Sequence, residues 1–97
     1  MGAMDKSVHT PEYRVLRAAL REVRVDAGLS QRDLAGRLVV PHSWIAKVES
    51  GERRIDAVEF CRFVLACGAE PQAIFDRIAK LVEKSSVAHR SGKRPIT

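Results

Sequence analysis

Long apolar runs are missing from this chain, and no stretch is long enough to span a bilayer. The first residues also lack the apolar segment of a secretory signal, so a cytoplasmic protein is expected. Aromatics are scarce, with one Trp, one Tyr and three Phe, and the core must rest on Leu, Val, Ile and Ala. Only two cysteines occur, Cys61 and Cys67, six residues apart in one apolar run. On a helix that offset spans roughly 9 Å and turns the side chains apart, so they cannot pair directly. No CxxC or Cys/His cluster accompanies them, which argues against a metal site, and both are expected to be buried free thiols. Catalytic patterns are absent as well. His9, His42 and His89 are scattered, and there is no Ser/His/Asp order, paired-carboxylate motif or phosphate-binding glycine loop. Neither an enzyme nor a cofactor is expected.

What is present suits one folded unit. Ninety-seven residues with 45% hydrophobic content can bury a modest core without metal or disulfide help. The net charge of +5 favours an anionic partner. Met-Gly-Ala at positions 1–3 reads as a cloning scar ahead of a native start at Met4, and residues 1–9 as a flexible polar segment.

Helical periodicity begins at Thr10-Pro11-Glu12, which supplies an N-cap, a proline at the first helical position and an acid in the first turn. Tyr13, Leu16, Leu20, Val23 and Ala27 then recur at three- and four-residue spacing, with Arg14, Arg17, Arg21 and Glu22 opposite and Gly28 as the stop. Ser30 and Asp33 form a capping-box pattern for a short second helix that turns Leu34, Ala35 and Leu38 inward. Pro41 forbids its simple continuation. A third helix is predicted from about Pro41 to Glu49, burying Ile45 and Val48 and ending at Ser50-Gly51.

Asp56 and Glu59 open a fourth helix that is apolar nearly all round, with only Glu59, Arg62 and small Ala66 as a wet face. Such a helix is either the floor of the core or a surface for a second subunit. Gly68 stops it, and Pro71 starts a fifth whose stripe is Ile74, Phe75, Ile78, Leu81 and Val82. After Lys84 the pattern collapses, so residues 85–97 are expected to be a disordered basic tail and residues 10–84 the folded domain. No repeat and no strand is predicted.

The segments GLSQRDLAGRL and IAKVESGERR, with the apolar helix ending at Cys67-Gly68, resemble the Cro/repressor-type (XRE) helix-turn-helix family of bacterial and phage regulators. The resemblance covers Leu20 to about Phe75. It implies an all-α, five-helix, lambda-repressor-like domain that offers its third helix to the major groove of double-stranded DNA. By the same resemblance His42, Ser43, Ala46 and Lys47 reach base edges, with Trp44 beside them at the margin of the core. Their chemistry permits it, because Lys donates to guanine O6 and N7 and His and Ser donate or accept.

Gln31 and, around the turn after the third helix, Ser50, Arg53 and Arg54 become phosphate contacts, with Arg32 as a further candidate. Arg24 and Glu49 match an ion pair that ties helix 1 to helix 3. The expected regulator is a repressor acting as a homodimer through Phe63, Cys67, Ile74, Ile78 and Leu81. The alternative is a protein-interaction module, such as an antitoxin, on the same fold. One departure stands out. Val39 occupies the place where the family has glycine, and Pro41 replaces the usual Ser/Thr cap, so a different backbone path through this turn is expected.

Overall fold

Local signals set the helix starts. In the computed structural model, which describes residues 10–90 and the side chains up to Ser85, Thr10 Oγ1 accepts the Tyr13 N–H at 3.1 Å and opens α1, Pro11–Asp26. Ser30 and Asp33 cap each other reciprocally at the start of α2, Gln31–Leu38, with N···O distances of 3.0 and 2.9 Å. The donated Ser30 N–H holds the Asp33 carboxyl below the usual aspartate range. Asp56 and Glu59 repeat the device, at 2.8 and 3.0 Å, before α4, Ala57–Ala66. Between them lies α3, His42–Ser50, whose N-cap Pro41 makes no side-chain hydrogen bond. The last helix, α5, runs Pro71–Arg90, and no strand occurs among the described residues.

The turn between α2 and α3 does not take a different path. Val39 itself adopts the left-handed conformation, φ 59° and ψ 50°, with its side chain 87% exposed. The Val39 and Val40 N–H groups close α2 on the Gly36 and Ala35 carbonyls at 3.3 and 3.0 Å. These bonds offset the steric cost of a β-branched residue there, roughly 1–2 kcal/mol.

One core holds all five helices. Leu20, Leu34, Ile45, Val48, Phe63 and Val64 are fully buried, and Ala35 is buried between α2 and its neighbours. α5 runs antiparallel to α1. Arg77 pairs with Glu22 at 3.0 Å, while Val82 shares a groove of about 410 Å³ with Thr10 and Tyr13 at the other end of α1.

Three expectations about the outer helices are corrected. Cys61 is exposed and only Cys67 is buried, where loss of water pushes its thiol above the usual range. Phe63, Cys67 and Ile78 lie inside the monomer, at 0%, 8% and 6% exposure, and are not available as an interface. Leu81 is exposed and Ile74 half-buried. Finally, α5 does not stop at Lys84. No glycine or proline interrupts the backbone before Gly92, so hydrogen bonding carries the helix to Arg90 although the apolar stripe has ended. Residues 1–9 and 91–97, where the flexible segment and the end of the tail were expected, lie outside the described residues.

Candidate nucleic-acid interface

The second helix of the pair is held from behind. Ile45, Val48 and Glu49 of α3 are buried, which leaves His42, Ser43 and Lys47 exposed on the opposite side and Trp44 and Ala46 half-buried at its margins. Spacing dictates this, because positions 42, 43, 46 and 47 share one side of a helix and 45, 48 and 49 the other.

Glu49 is the hub of the buried side. Arg24 Nε donates to its Oε2 at 2.7 Å and Arg24 Nη2 to its Oε1 at 2.9 Å, a bidentate pair between α1 and α3. Hydrogen bonding to this carboxylate raises the Arg24 pKa further above its already high value. Arg24 Nη1 also donates to the Leu29 carbonyl at 2.8 Å, so the guanidinium joins α1, α3 and the loop into α2. Gln31 completes the hub by donating from Nε2 to Glu49 Oε1 at 3.0 Å. Its amide therefore braces α3 and is not simply displayed to solvent.

Arg17 is the residue that sequence reasoning missed. Placed on the wet face of α1 by periodicity, its side chain is half-buried and crosses to the end of α3. Nη1 donates to the Glu49 carbonyl at 3.4 Å, and Nε is buried without a hydrogen-bond partner. No local pattern could have announced this, since the two residues are 32 positions apart.

The turn after α3 is equally tied down. Gly51 closes the helix at φ 86°, and the Glu52 and Arg53 N–H groups donate to the Lys47 carbonyl at 2.9 and 3.1 Å. Ser50 is exposed, with Oγ shared between the Lys47 carbonyl and Glu52 Oε2, both at 3.3 Å. Arg53 differs from the free phosphate contact expected of it. Its guanidinium lies 4.9 Å from the centre of the Trp44 ring and holds Glu59 in a two-point pair, both distances 3.1 Å. That pairing raises the Arg53 pKa and lowers that of Glu59. Trp44 is accordingly a platform for Arg53 as well as a neighbour of the exposed side of α3. Arg54 is exposed, 5.2 Å from the Tyr13 ring centre, and Tyr13 Oη accepts the Ile55 N–H at 2.9 Å. Arg32 is exposed on the first turn of α2.

The surface thus assembled carries His42, Ser43 and Lys47 on a braced helix, with basic side chains at Arg32 and Arg54 on the adjoining segments. No group of three or more His, Cys, Asp or Glu side chains among the described residues could hold a metal ion. No helix among them is long and apolar enough to cross a membrane.

Comparison with known proteins agrees with this geometry. A helix-turn-helix domain model matches residues 15–75. An XRE-family-like protein from Pseudomonas syringae pv. tomato str. DC3000 superposes with a TM-score of 0.72 at 36% identity, over 79% of this chain and 94% of that one. No curated protein matches the chain. Residues 15–75 run from within α1 into α5 and so include Arg24, Glu49 and the whole α2–α3 pair; the chain belongs to the XRE-type helix-turn-helix family.

Proposed function

We propose that this protein is a sequence-specific DNA-binding transcriptional regulator, a cytoplasmic repressor that lays α3 in the major groove as a homodimer. The observation that carries this reading is the division of α3. One side is locked by Ile45, Val48 and the Glu49 hub, and the other presents His42, Ser43 and Lys47. Rigid presentation of donors and acceptors is what base-edge readout requires. Ala46 leaves room for close approach or meets a thymine methyl, and Trp44 flanks the groove wall. Arg32, Arg54 and Ser50 engage phosphates, and the net charge of +5 draws the chain toward DNA before any base is read. Gln31 and Arg53 contribute by bracing the reading face through Glu49 and Glu59, and each side chain carries further N–H donors with which to engage phosphate. No catalytic group and no cofactor enters this function.

Selection of bound sequences from a random pool of double-stranded DNA tests it. The expected result is an enriched two-fold site whose half-sites are centred roughly 34 Å apart or at a multiple of that distance. A pool that emerges without enrichment would reject the reading and leave the protein-interaction module in its place.

A further inference from the structure

We infer that the arginine side of α1 is a further DNA-contacting surface, which holds backbone phosphates beside the segment that α3 reads. The inference rests on the DNA-binding reading above and adds a helix that lies outside the helix-turn-helix pair. Charge on α1 is divided by side. At about 100° per residue, Arg14, Arg17, Arg21 and Arg24 fall within a sector of about 80°, and Glu12, Glu22 and Asp26 lie on the opposite side. Packing gives each side its neighbour. Arg17 and Arg24 reach Glu49 of α3, whereas Glu22 pairs with Arg77 of α5.

Most of the positive charge on the side turned to α3 is uncompensated. Arg24 is neutralised by Glu49, as Arg53 is by Glu59. Arg14 and Arg21 are exposed, and neither makes an ion pair among the described residues. Arg17 stands between them with Nη1 on a backbone carbonyl, that of Glu49, and not on a carboxylate. One exposed acid, Glu52, lies on the adjoining turn, where it takes the Ser50 hydroxyl at 3.3 Å. Three arginines in a row outweigh it and call for a polyanion.

Position selects DNA over an acidic protein as that polyanion. Arg17 fills the side-chain space over Gly51, the residue that ends α3. The Arg54 guanidinium lies 5.2 Å from the ring centre of Tyr13, one turn before Arg17. The arginine stripe is therefore continuous with the turn that carries Ser50 and Arg54, the phosphate contacts of the reading above. From Arg14 to Arg21 it runs roughly 10 Å, about the length of three phosphates on one strand. A strand held at Ser50 and Arg54 continues onto α1 without leaving the protein.

Salt titration of DNA binding by the full chain tests the inference. Arg14→Gln with Arg21→Gln removes two charges at exposed positions and keeps good helix formers. Lys80→Gln with Lys84→Gln removes the same charge from exposed positions on α5, which packs on α1 and α4. Circular dichroism checks that both variants fold. In the α1 variant the dependence of log K on log salt should become shallower by about 1.8, two contacts at about 0.9 each. Affinity at about 0.1 M salt should fall at least about tenfold. Selected and scrambled DNA should lose alike, since phosphates carry no sequence. The α5 variant should keep the salt dependence of the wild type.

An unchanged salt dependence in the α1 variant would overturn the inference and leave the stripe to an acidic partner protein. An equal change in both variants, which reports net charge alone, would overturn it too, as would a loss confined to selected DNA. These outcomes are separable from the DNA reading. A selected site that the α1 variant binds like the wild type sinks the α1 surface alone. Binding without sequence preference that still loses salt dependence in the α1 variant sinks the sequence-specific reading alone. A chain that binds no DNA sinks both.

Discussion

A Cβ placed on Gly51 would fall 2.9 Å from Nε of Arg17. The residue that ends α3 is thus glycine on two grounds, its φ of 86° and the guanidinium stem that occupies the side-chain space. Gly28 has a similar φ, 76°, with nothing within 4 Å of its Cβ position. Gly28→Ala should therefore cost only the left-handed strain, on the order of 1–2 kcal/mol. Gly51→Ala should cost somewhat more, because the end of the Arg17 side chain must also shift and loosen its 3.4 Å bond to the Glu49 carbonyl. Urea denaturation of the two variants measures the difference, and equal losses would mean that the Arg17 side chain moves aside freely.

The Arg24–Glu49 pair offers a sharper test of what aims α3. Both side chains are nearly sealed from water, at 9% and 3% exposure. Removing one partner strands a buried charge, so Glu49→Ala should destabilise by about 3–5 kcal/mol. Replacing both by apolar residues of similar volume, Arg24→Met with Glu49→Leu, should recover much of that loss. A double-mutant cycle in denaturant gives the coupling. Single losses that simply add would contradict a specific pair.

How much of this was legible in the sequence follows from the range over which each signal acts. The caps at Thr10, Ser30 and Asp56 are local, three-residue devices, and the structure holds each of them. The small Ala35 and the apolar Leu34, Ile45 and Val48 likewise fall where helical spacing puts them. The orientation of α4 was not legible, because a helix apolar on most sides has no preferred inward face until its neighbours choose one; α1, α2 and α5 chose Phe60, Phe63, Val64 and Cys67. The bracing of Glu49 by Arg17 and by Gln31, which the sequence offered only as a phosphate contact, was not legible for a related reason. Their contacts to Glu49 span 32 and 18 positions and exist only once the helices have packed. The end of α5 was misread because loss of an apolar stripe ends packing, whereas ending a helix takes a breaker.

Val39 is a site where the chain is less stable than its fold allows. A β-branched residue at φ 59° is strained, and its exposed side chain returns little packing. Val39→Gly removes roughly 1–2 kcal/mol of strain and gives back up to about 1 kcal/mol through the greater freedom of the unfolded chain. Val39→Asn accepts the left-handed conformation without that entropic loss. Both should stabilise, the glycine variant by about 0.5–1 kcal/mol, with a corresponding rise in Tm. A loss of stability would show that Val39 makes contacts outweighing its strain.

The Arg53–Glu59 pair couples stability to pH. Hydrogen bonds from Arg53 and from the Asp56 N–H stabilise the ionised carboxylate and hold the Glu59 pKa below the ordinary glutamate value. A depressed folded-state pKa means that the native protein binds the proton less readily than the unfolded chain. The contribution is therefore complete above the unfolded glutamate range, about pH 4.3, and disappears as pH falls through the folded value. Glu59→Gln should flatten this part of the acid limb while changing the pH 7 to pH 9 region little. Arg53→Ala should do the same and also change Trp44 fluorescence, because the guanidinium lies over the indole. An acid limb unchanged in both variants would exclude the pair as its origin.

Lys47 distinguishes reading a sequence from holding a helix. Its carbonyl anchors the end of α3 by accepting from the Glu52 and Arg53 N–H groups, and its side chain is exposed on the side shared with His42 and Ser43. Lys47→Ala keeps that carbonyl and introduces a strong helix former, so folding stability should change by less than about 0.5 kcal/mol. Binding to the selected DNA should weaken by about 1–3 kcal/mol, and the preference over scrambled DNA should fall by a similar amount. Arg54→Ala should instead weaken binding to both sequences alike and reduce the salt dependence by about one phosphate contact. Titrations on the two DNAs at several salt concentrations separate these patterns. Equal loss on both sequences for Lys47→Ala would move it from base reader to phosphate contact, and the reading would then rest on His42 and Ser43, which lie one turn nearer the start of the helix.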